Sequence, residues 1–126
     1  MNELVLYKDK ECKLAIINNE KGNKITVETT DGKKVVIQKN QVIYRSLKDV
    51  EHKLSYYQAA VKSVDSEELY DLLNTMAASF TFEELAELYF SENFTLEQIF
   101  SLVFTAACDE IRFYIQGNRV FLRTAD

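Results

Sequence analysis

The chain changes character near residue 47, where short β-patterned segments rich in lysine give way to a longer acidic stretch with helical periodicity. Residues 1–48 contain ten lysines and arginines against six aspartates and glutamates, a net charge of +4. The remaining residues contain five bases and fourteen acids, a net charge of −9. The whole-chain charge of −5 argues against a polyanionic ligand, but this division permits a local site for one.

Length and composition predict a folded chain. Its 126 residues, 47% of them hydrophobic, suffice for one ordinary domain or two small ones. No apolar run approaches the roughly 20 residues that span a bilayer, and Met1-Asn2-Glu3 is acidic where a secretory signal would be basic. We therefore expect a soluble, cytoplasmic protein that has no membrane partner.

Five short strands are predicted in the first part of the chain, at residues 4–7, 12–17, 24–29, 33–38 and 41–44. In the third of these, Ile25, Val27 and Thr29 alternate with polar residues, as a half-buried strand requires. Asp31-Gly32 supplies the positive φ of a tight hairpin turn between the third and fourth strands. This spacing predicts a small SH3-like or OB-like β-barrel over residues 1–46.

Helical periodicity follows the predicted barrel. Val50, Leu54, Tyr57 and Val61 recur at three- and four-residue intervals, which predicts a connector helix within residues 47–63. Capping-box spacings then predict three further helix starts, at Asp65 with Glu68, Thr81 with Glu84, and Thr95 with Gln98. We expect seven apolar side chains of the first two of these helices to be buried: Leu69, Leu72, Leu73, Met76, Leu85, Leu88 and Tyr89.

Two strand-like runs close the chain, at residues 111–115 and 119–123, with a turn around Gly117. Three helices followed by a β-hairpin predict a winged helix over residues 64–126. The fold class is therefore α+β.

The third helix of this winged helix is poorly suited to reading DNA. Residues 96–110 contain no lysine or arginine, and Glu97, Asp109 and Glu110 would repel phosphate. Only Gln98 could reach a base. We therefore consider sequence-specific DNA binding unlikely, although the hairpin arginines, Arg119 among them, could contact a phosphate backbone.

The basic β-module gives the stronger indication of nucleic-acid binding. Seven lysines fall mostly at or beside predicted turns, where several could converge on one rim as phosphate contacts. With Arg119 they are our candidate binding residues: Lys8, Lys10, Lys21, Lys24, Lys33, Lys34 and Lys39. Tyr7 and Tyr44 could add stacking faces for bases. Lysines beside turns also keep small β-modules soluble and protect their edge strands, so the solvated-surface interpretation stays open for each one.

Nothing in the sequence indicates a catalytic centre or a metal site. The single histidine, His52, has no serine or cysteine partner at a suitable spacing. Cys12 and Cys108 are isolated, which disfavours a disulfide or a zinc site and predicts mostly buried thiols. We expect no catalytic residue, bound metal or cofactor in this chain.

The order of modules resembles a known family. A barrel that ends in a segment like residues 35–44, then a helix, then a helical module containing residues 82–90 (FEELAELYF), is similar to the N-terminal region of bacterial ribonuclease II-type (RNB) exoribonucleases. The resemblance implies modules that help to admit single-stranded RNA, while a larger C-terminal domain with an aspartate cluster and magnesium degrades it from the 3′ end. That domain is absent, so no catalytic residue carries over, and magnesium is expected only for that domain.

Two kinds of function follow from these observations. In the first, the chain is the RNA-binding N-terminal region of a 3′–5′ exoribonuclease, either as a fragment or as a freestanding relative. In the second, it is a freestanding winged-helix adaptor that binds another protein, with homodimerisation as one form of that role. A transcription regulator is a further alternative, against which the acidic third helix counts.

Overall fold

A computed structural model describes residues 2–123, so residues 1 and 124–126 of the predicted domains lie outside the described part. Within it the chain is α+β, with two antiparallel sheets and four α-helices. The chain divides into two compact units, Met1–Ala59 and Ala60–Asp126. No α-helix among the described residues is both long enough and apolar enough to cross a membrane.

The first unit is a five-stranded antiparallel sheet with strand order β4-β3-β2-β1-β5. Its elements are β1 (Glu3–Lys8), β2 (Cys12–Lys21), β3 (Lys24–Glu28), β4 (Lys34–Gln38), a 3₁₀ turn (Lys39–Gln41), β5 (Val42–Asp49) and α1 (Leu54–Ala60). All five predicted strands are confirmed. The predicted barrel does not close, because β4 and β5 are the two edges of the described sheet. The 3₁₀ turn leads the chain from β4 to β5, which pairs with the free edge of β1.

Strand β1, which lies between β2 and β5, is buried on both faces. Leu4, Val5, Leu6 and Tyr7 are all at most 2% exposed. Val5 and Tyr7 belong to a core cluster on one face, together with Ala15, Ile17, Ile25, Val27 and Ile37. Leu4 and Leu6 alternate with them and are also buried, which explains why β1 is continuously apolar instead of alternating.

A three-residue charge network joins β5, β1 and β2. The Arg45 guanidinium lies 2.7 Å (Nε) and 3.0 Å (Nη2) from the two carboxylate oxygens of Glu3, whose side chain is only 8% exposed. The same guanidinium lies 2.9 and 3.2 Å from the carboxylate oxygens of Glu20. These hydrogen bonds, first to Glu3 and then to Glu20, raise the pKa of Arg45. The paired geometry is the strong form of a charge-assisted hydrogen bond.

The same network explains why the predicted connector helix is shorter than expected. The Leu47 N–H donates to the Glu3 carboxylate at 3.1 Å, and Asp49 pairs with Glu3 across the sheet, so residues 47–49 belong to β5. Leu47 has a φ of 62° there, a left-handed conformation that is costly for a leucine and is compensated by this hydrogen bond. Tertiary contacts thus override the helical periodicity until Leu54, where α1 begins.

The second unit combines helices with a three-stranded sheet of order β6-β8-β7. Its elements are α2 (Ser66–Leu73), β6 (Ser79–Thr81), α3 (Phe82–Tyr89), α4 (Leu96–Cys108), β7 (Phe113–Gln116) and β8 (Arg119–Leu122). The predicted hairpin is confirmed. Strand β6 is additional: Ser79 pairs with Phe121 and Thr81 with Arg119, so β8 becomes the middle strand.

Helix caps were the most reliable local prediction. The Thr81 N–H donates to the Glu84 carboxylate at 2.8 Å, and the Glu84 N–H donates back to the Thr81 hydroxyl at 3.1 Å. Thr95 forms the same reciprocal box with Gln98. Asp65 also caps its helix, but without reciprocity, because the carboxylate of Glu68 accepts instead from a tyrosine hydroxyl of α3.

Several burial predictions were wrong. Leu69, Leu73 and Leu85 are buried, but Leu72, Met76 and Leu88 are 43%, 52% and 42% exposed. Helix α2 ends at Leu73, so Met76 lies beyond it, and Leu72 and Leu88 lie off the buried faces of their helices. The expected burial of the two thiols was also wrong, because Cys12 is partly exposed and Cys108 is exposed.

We predict that Arg45→Ala lowers the free energy of unfolding by on the order of 3 kcal/mol, because the Glu3 carboxylate would stay buried without its cation. Urea unfolding followed by circular dichroism measures this change. Lys13→Ala, which removes an exposed cation of β2, is the matched control. The double variant Glu3→Gln/Arg45→Ala should recover part of the loss. A loss for Arg45→Ala of below about 1 kcal/mol, typical of a surface ion pair, would contradict the structural role of the network.

Candidate nucleic-acid interface

Three of the candidate lysines meet at one end of the first sheet. Lys21 and Lys24 are paired across the β2–β3 turn. Lys39, in the 3₁₀ turn, joins them because its N–H donates to the Asn23 carbonyl in that turn at 2.8 Å. We call Lys21, Lys24 and Lys39 the β2–β3 lysine cluster.

The other four lysines lie elsewhere in the first unit. Lys33 and Lys34 are in the β3–β4 turn, where Lys34 pairs with Glu28, four residues along β3 from Lys24. At ~3.3 Å per residue the two ends of β3 are about 13 Å apart. Lys8 and Lys10 lie at the β1–β2 turn. The structure therefore distributes the seven lysines over several turns instead of collecting them all on one rim.

The charge network leaves the β2–β3 lysine cluster with excess positive charge. Glu3 and Glu20 both bind Arg45, and Glu20 also lies 3.4 Å from the Lys39 ammonium. The three lysines and Arg45 give four positive charges against two negative ones, a local net charge of +2. Within residues 2–123, Lys21 and Lys24 form no ion pair. By contrast, the Lys33 ammonium has Asp31 at 3.8 Å.

The electrostatics of Glu20 reflect this arrangement. The hydrogen bond from Arg45 is the main cause that lowers the pKa of Glu20, and Lys39 adds to it. Glu20 therefore stays ionised at neutral pH and holds two cations beside the β2–β3 turn. It links the structural network to the lysine cluster.

The aromatic part of the prediction needs correction. Tyr7 is 2% exposed and belongs to the core, so it cannot offer a stacking face. Burial, followed by the charges of Asp9 and Asp31, raises the pKa of Tyr7. Tyr44 is half-buried on β5 and remains a candidate.

Arg119 lies in the second unit, where it starts β8 and donates to the Ser79 hydroxyl at 3.1 Å. Arg112, also on the predicted hairpin, is instead committed to Asp109, with Nη1 2.9 Å from the carboxylate. Sequence reasoning missed Tyr114 and Phe121, which lie on the outer side of the same sheet. Because side chains alternate along a strand, the two predicted strands around Arg119 could have indicated that these rings lie on its side of the sheet.

Two other predicted features have structural roles. The Gln98 side chain accepts from the Thr95 N–H at 2.9 Å in its capping box, so it is not available to a base. The His52 ring stacks on Tyr56 at a centroid distance of 4.1 Å. Within residues 2–123, no three metal-ligating side chains are grouped so that they could hold an ion.

Comparison with protein-family models, with curated proteins and with solved structures found no match to this chain. The site must therefore be interpreted from its own geometry.

We predict that Glu20 makes stability depend on acid pH. A carboxyl group whose pKa is lower in the folded state than in the unfolded state stabilises above its unfolded pKa, and this stabilisation is lost as the pH falls through the folded value. Wild-type stability should therefore fall between about pH 5 and pH 3, and Glu20→Gln should be less stable at neutral pH but flatter across that range.

Urea unfolding at a series of pH values measures this difference. Glu11→Gln, at an exposed position of the β1–β2 turn, is the control. Parallel pH profiles for wild type and Glu20→Gln would show that the hydrogen bonds to Glu20 do not contribute to folding.

Proposed function

We propose that this chain is a single-stranded RNA-binding module of the kind found in the N-terminal region of ribonuclease II-type exoribonucleases. The observation that carries the proposal is the β2–β3 lysine cluster. Three lysines from two separate segments are held at one sheet end by the Lys39–Asn23 hydrogen bond, with a local excess of positive charge. This arrangement suits the phosphates of a flexible strand.

The architecture supports the family assignment within this proposal. The antiparallel meander of the first unit, with a 3₁₀ turn before a last strand that returns to β1, is consistent with an SH3-like or OB-like half-barrel. In the second unit, α2, α3 and α4 followed by the β7–β8 hairpin are consistent with a winged helix. We place RNA guidance in these modules, and hydrolysis in a separate magnesium-dependent domain.

The proposed mechanism is electrostatic capture. Lysine ammonium groups are mobile point charges that follow a phosphate backbone without reading its sequence, and their binding releases condensed counterions. Helix α4 does not add DNA sequence readout, since it is largely buried and contains no lysine or arginine. The proposed ligand is therefore a single strand, bound with little sequence preference.

A second candidate function, a protein-binding adaptor, is favoured by exposed apolar side chains in the second unit. Leu72, Met76 and Ile111 are 43%, 52% and 84% exposed in a unit that is rich in acids. Sedimentation velocity at increasing concentration tests the homodimeric form of this role. A monomer–dimer equilibrium that Leu72→Asp/Met76→Asp abolishes would favour it.

We predict that Lys21→Glu/Lys24→Glu weakens binding to a fluorescent oligouridylate by about tenfold or more at low salt, because two phosphate contacts become repulsive. The slope of log affinity against log salt should become shallower by about 1.4, the value for two contacts on a single strand. Fluorescence anisotropy over a salt series measures both quantities.

The matched control is Lys33→Glu/Lys34→Glu, which makes the same change in net charge at the other end of β3. It should weaken binding much less. An equal loss in the two variants would show that only net charge matters and would overturn the assignment to the β2–β3 lysine cluster. No binding by the wild type at low salt would overturn the RNA-binding function itself.

A further inference from the structure

The second unit presents an aromatic and cationic sheet surface. Side chains alternate across β6, β8 and β7, and Phe80, Phe113 and Val120 point inward, each at most 5% exposed. The side chains of the opposite surface, which we call the outer sheet face, are Ser79, Thr81, Tyr114, Gln116, Arg119, Phe121 and Arg123. Two large aromatic rings on a solvent-facing sheet surface require an explanation.

Three planar groups are stacked on the outer sheet face. Tyr114 and Phe121 are direct neighbours across β7 and β8, with ring centroids 5.0 Å apart and an interplanar angle of 10°. The Arg123 guanidinium carbon lies 4.9 Å from the centroid of the Tyr114 ring. Tyr114 remains 40% exposed although it contacts both. Such a row already has the spacing and orientation that a stacked planar ligand prefers.

A cation lies beside the Phe121 end of the row. On β6 the position beside Phe121 is Ser79, a short side chain, and the Arg119 guanidinium donates to its hydroxyl at 3.1 Å. A planar group that stacks beside Phe121 would therefore have a guanidinium within reach. The arrangement pairs a stacking surface with a cation that can take a phosphate.

Charge distinguishes this face from the rest of its unit. Residues 60–126 contain four bases against twelve acids, yet the outer sheet face has two arginines and no acid. Glu84, an acid that interacts with Arg119, accepts the Thr81 N–H at 2.8 Å at the start of α3 and is held there by that hydrogen bond. Positive charge is thus concentrated where the rings are exposed, and this favours an anionic ligand with flat rings.

We infer that the outer sheet face is a second contact for single-stranded RNA, in which bases stack on the Phe121–Tyr114–Arg123 row and Arg119 contacts phosphate. This inference rests on the proposed function and deepens it, because it adds recognition of bases, by the second unit, to the phosphate contacts of the first. Aromatic residues on an open sheet face are a general way to bind unpaired bases, since every base offers a π-face.

Tryptophan fluorescence tests the inference directly, because the chain contains no tryptophan. Tyr114→Trp places a single fluorophore in the row, and Tyr56→Trp places one at a comparably exposed tyrosine of the first unit, 42% against 40%. Each is titrated with a labelled oligouridylate and with an abasic phosphodiester of the same length. We expect quenching of Tyr114→Trp by the oligouridylate alone, and little change in Tyr56→Trp.

Anisotropy of the same labelled strands separates the two proposals. A rise in anisotropy without quenching of Tyr114→Trp would overturn the stacking face and leave RNA binding by the lysines intact. Absence of any rise would overturn both. Equal quenching by the abasic strand would show an electrostatic contact and would also overturn base stacking.

Two further variants measure the size of the contribution. Phe121→Leu should weaken oligouridylate binding by about fivefold, the low end of what one base–aromatic stack contributes, and should leave the abasic strand unaffected. Arg123→Gln, at an exposed position just after β8, keeps both rings and should weaken binding by a few fold. Unchanged affinity in Arg123→Gln and in folded Phe121→Leu would contradict the inference.

Discussion

The first unit depends on the contact between one guanidinium and two carboxylates. Arg45 of β5 binds Glu3 of β1 and Glu20 of β2, and so joins the last strand of the sheet to β1 and, beyond it, to β2. Glu3 lies at the start of a strand that is buried on both faces, where an unpaired carboxylate would be costly. The same carboxylate accepts the Leu47 N–H within β5, at the irregular stretch of the strand before Asp49 pairs with Glu3.

This network also determines which charges are left for a ligand. Arg45 binds both Glu3 and Glu20, and Lys21 and Lys24 form no ion pair in the described part of the chain. The contact that fixes β5 therefore lies beside a surface with an excess of positive charge. The second unit contrasts with this, because it is acidic overall and concentrates two arginines beside the aromatic rings of one sheet face.

Local signals predicted most of the fold. The alternation in β3, the Asp31-Gly32 turn and the capping boxes at Thr81 and Thr95 depend on neighbours within a few residues, and all appear in the structure. The misses depend on distant partners. Residues 47–49 follow Glu3 into the sheet instead of starting a helix, and Ser79–Thr81 forms a strand only because β8 lies beside it. Tyr7, expected at a surface, is drawn into the core for the same reason.

The candidate site shows the same division. Which lysines flank turns can be read from the sequence, but the meeting of Lys39 with the β2–β3 turn depends on a backbone hydrogen bond across many residues.

The measurement that tests the account most directly is an amide NMR titration of the ¹⁵N-labelled chain with oligouridylate at low salt. We predict shifts concentrated at residues 21–24, at Lys39 and on β7 and β8. Shifts confined to the surroundings of Leu72 and Met76, or none at all, would contradict an RNA-binding role.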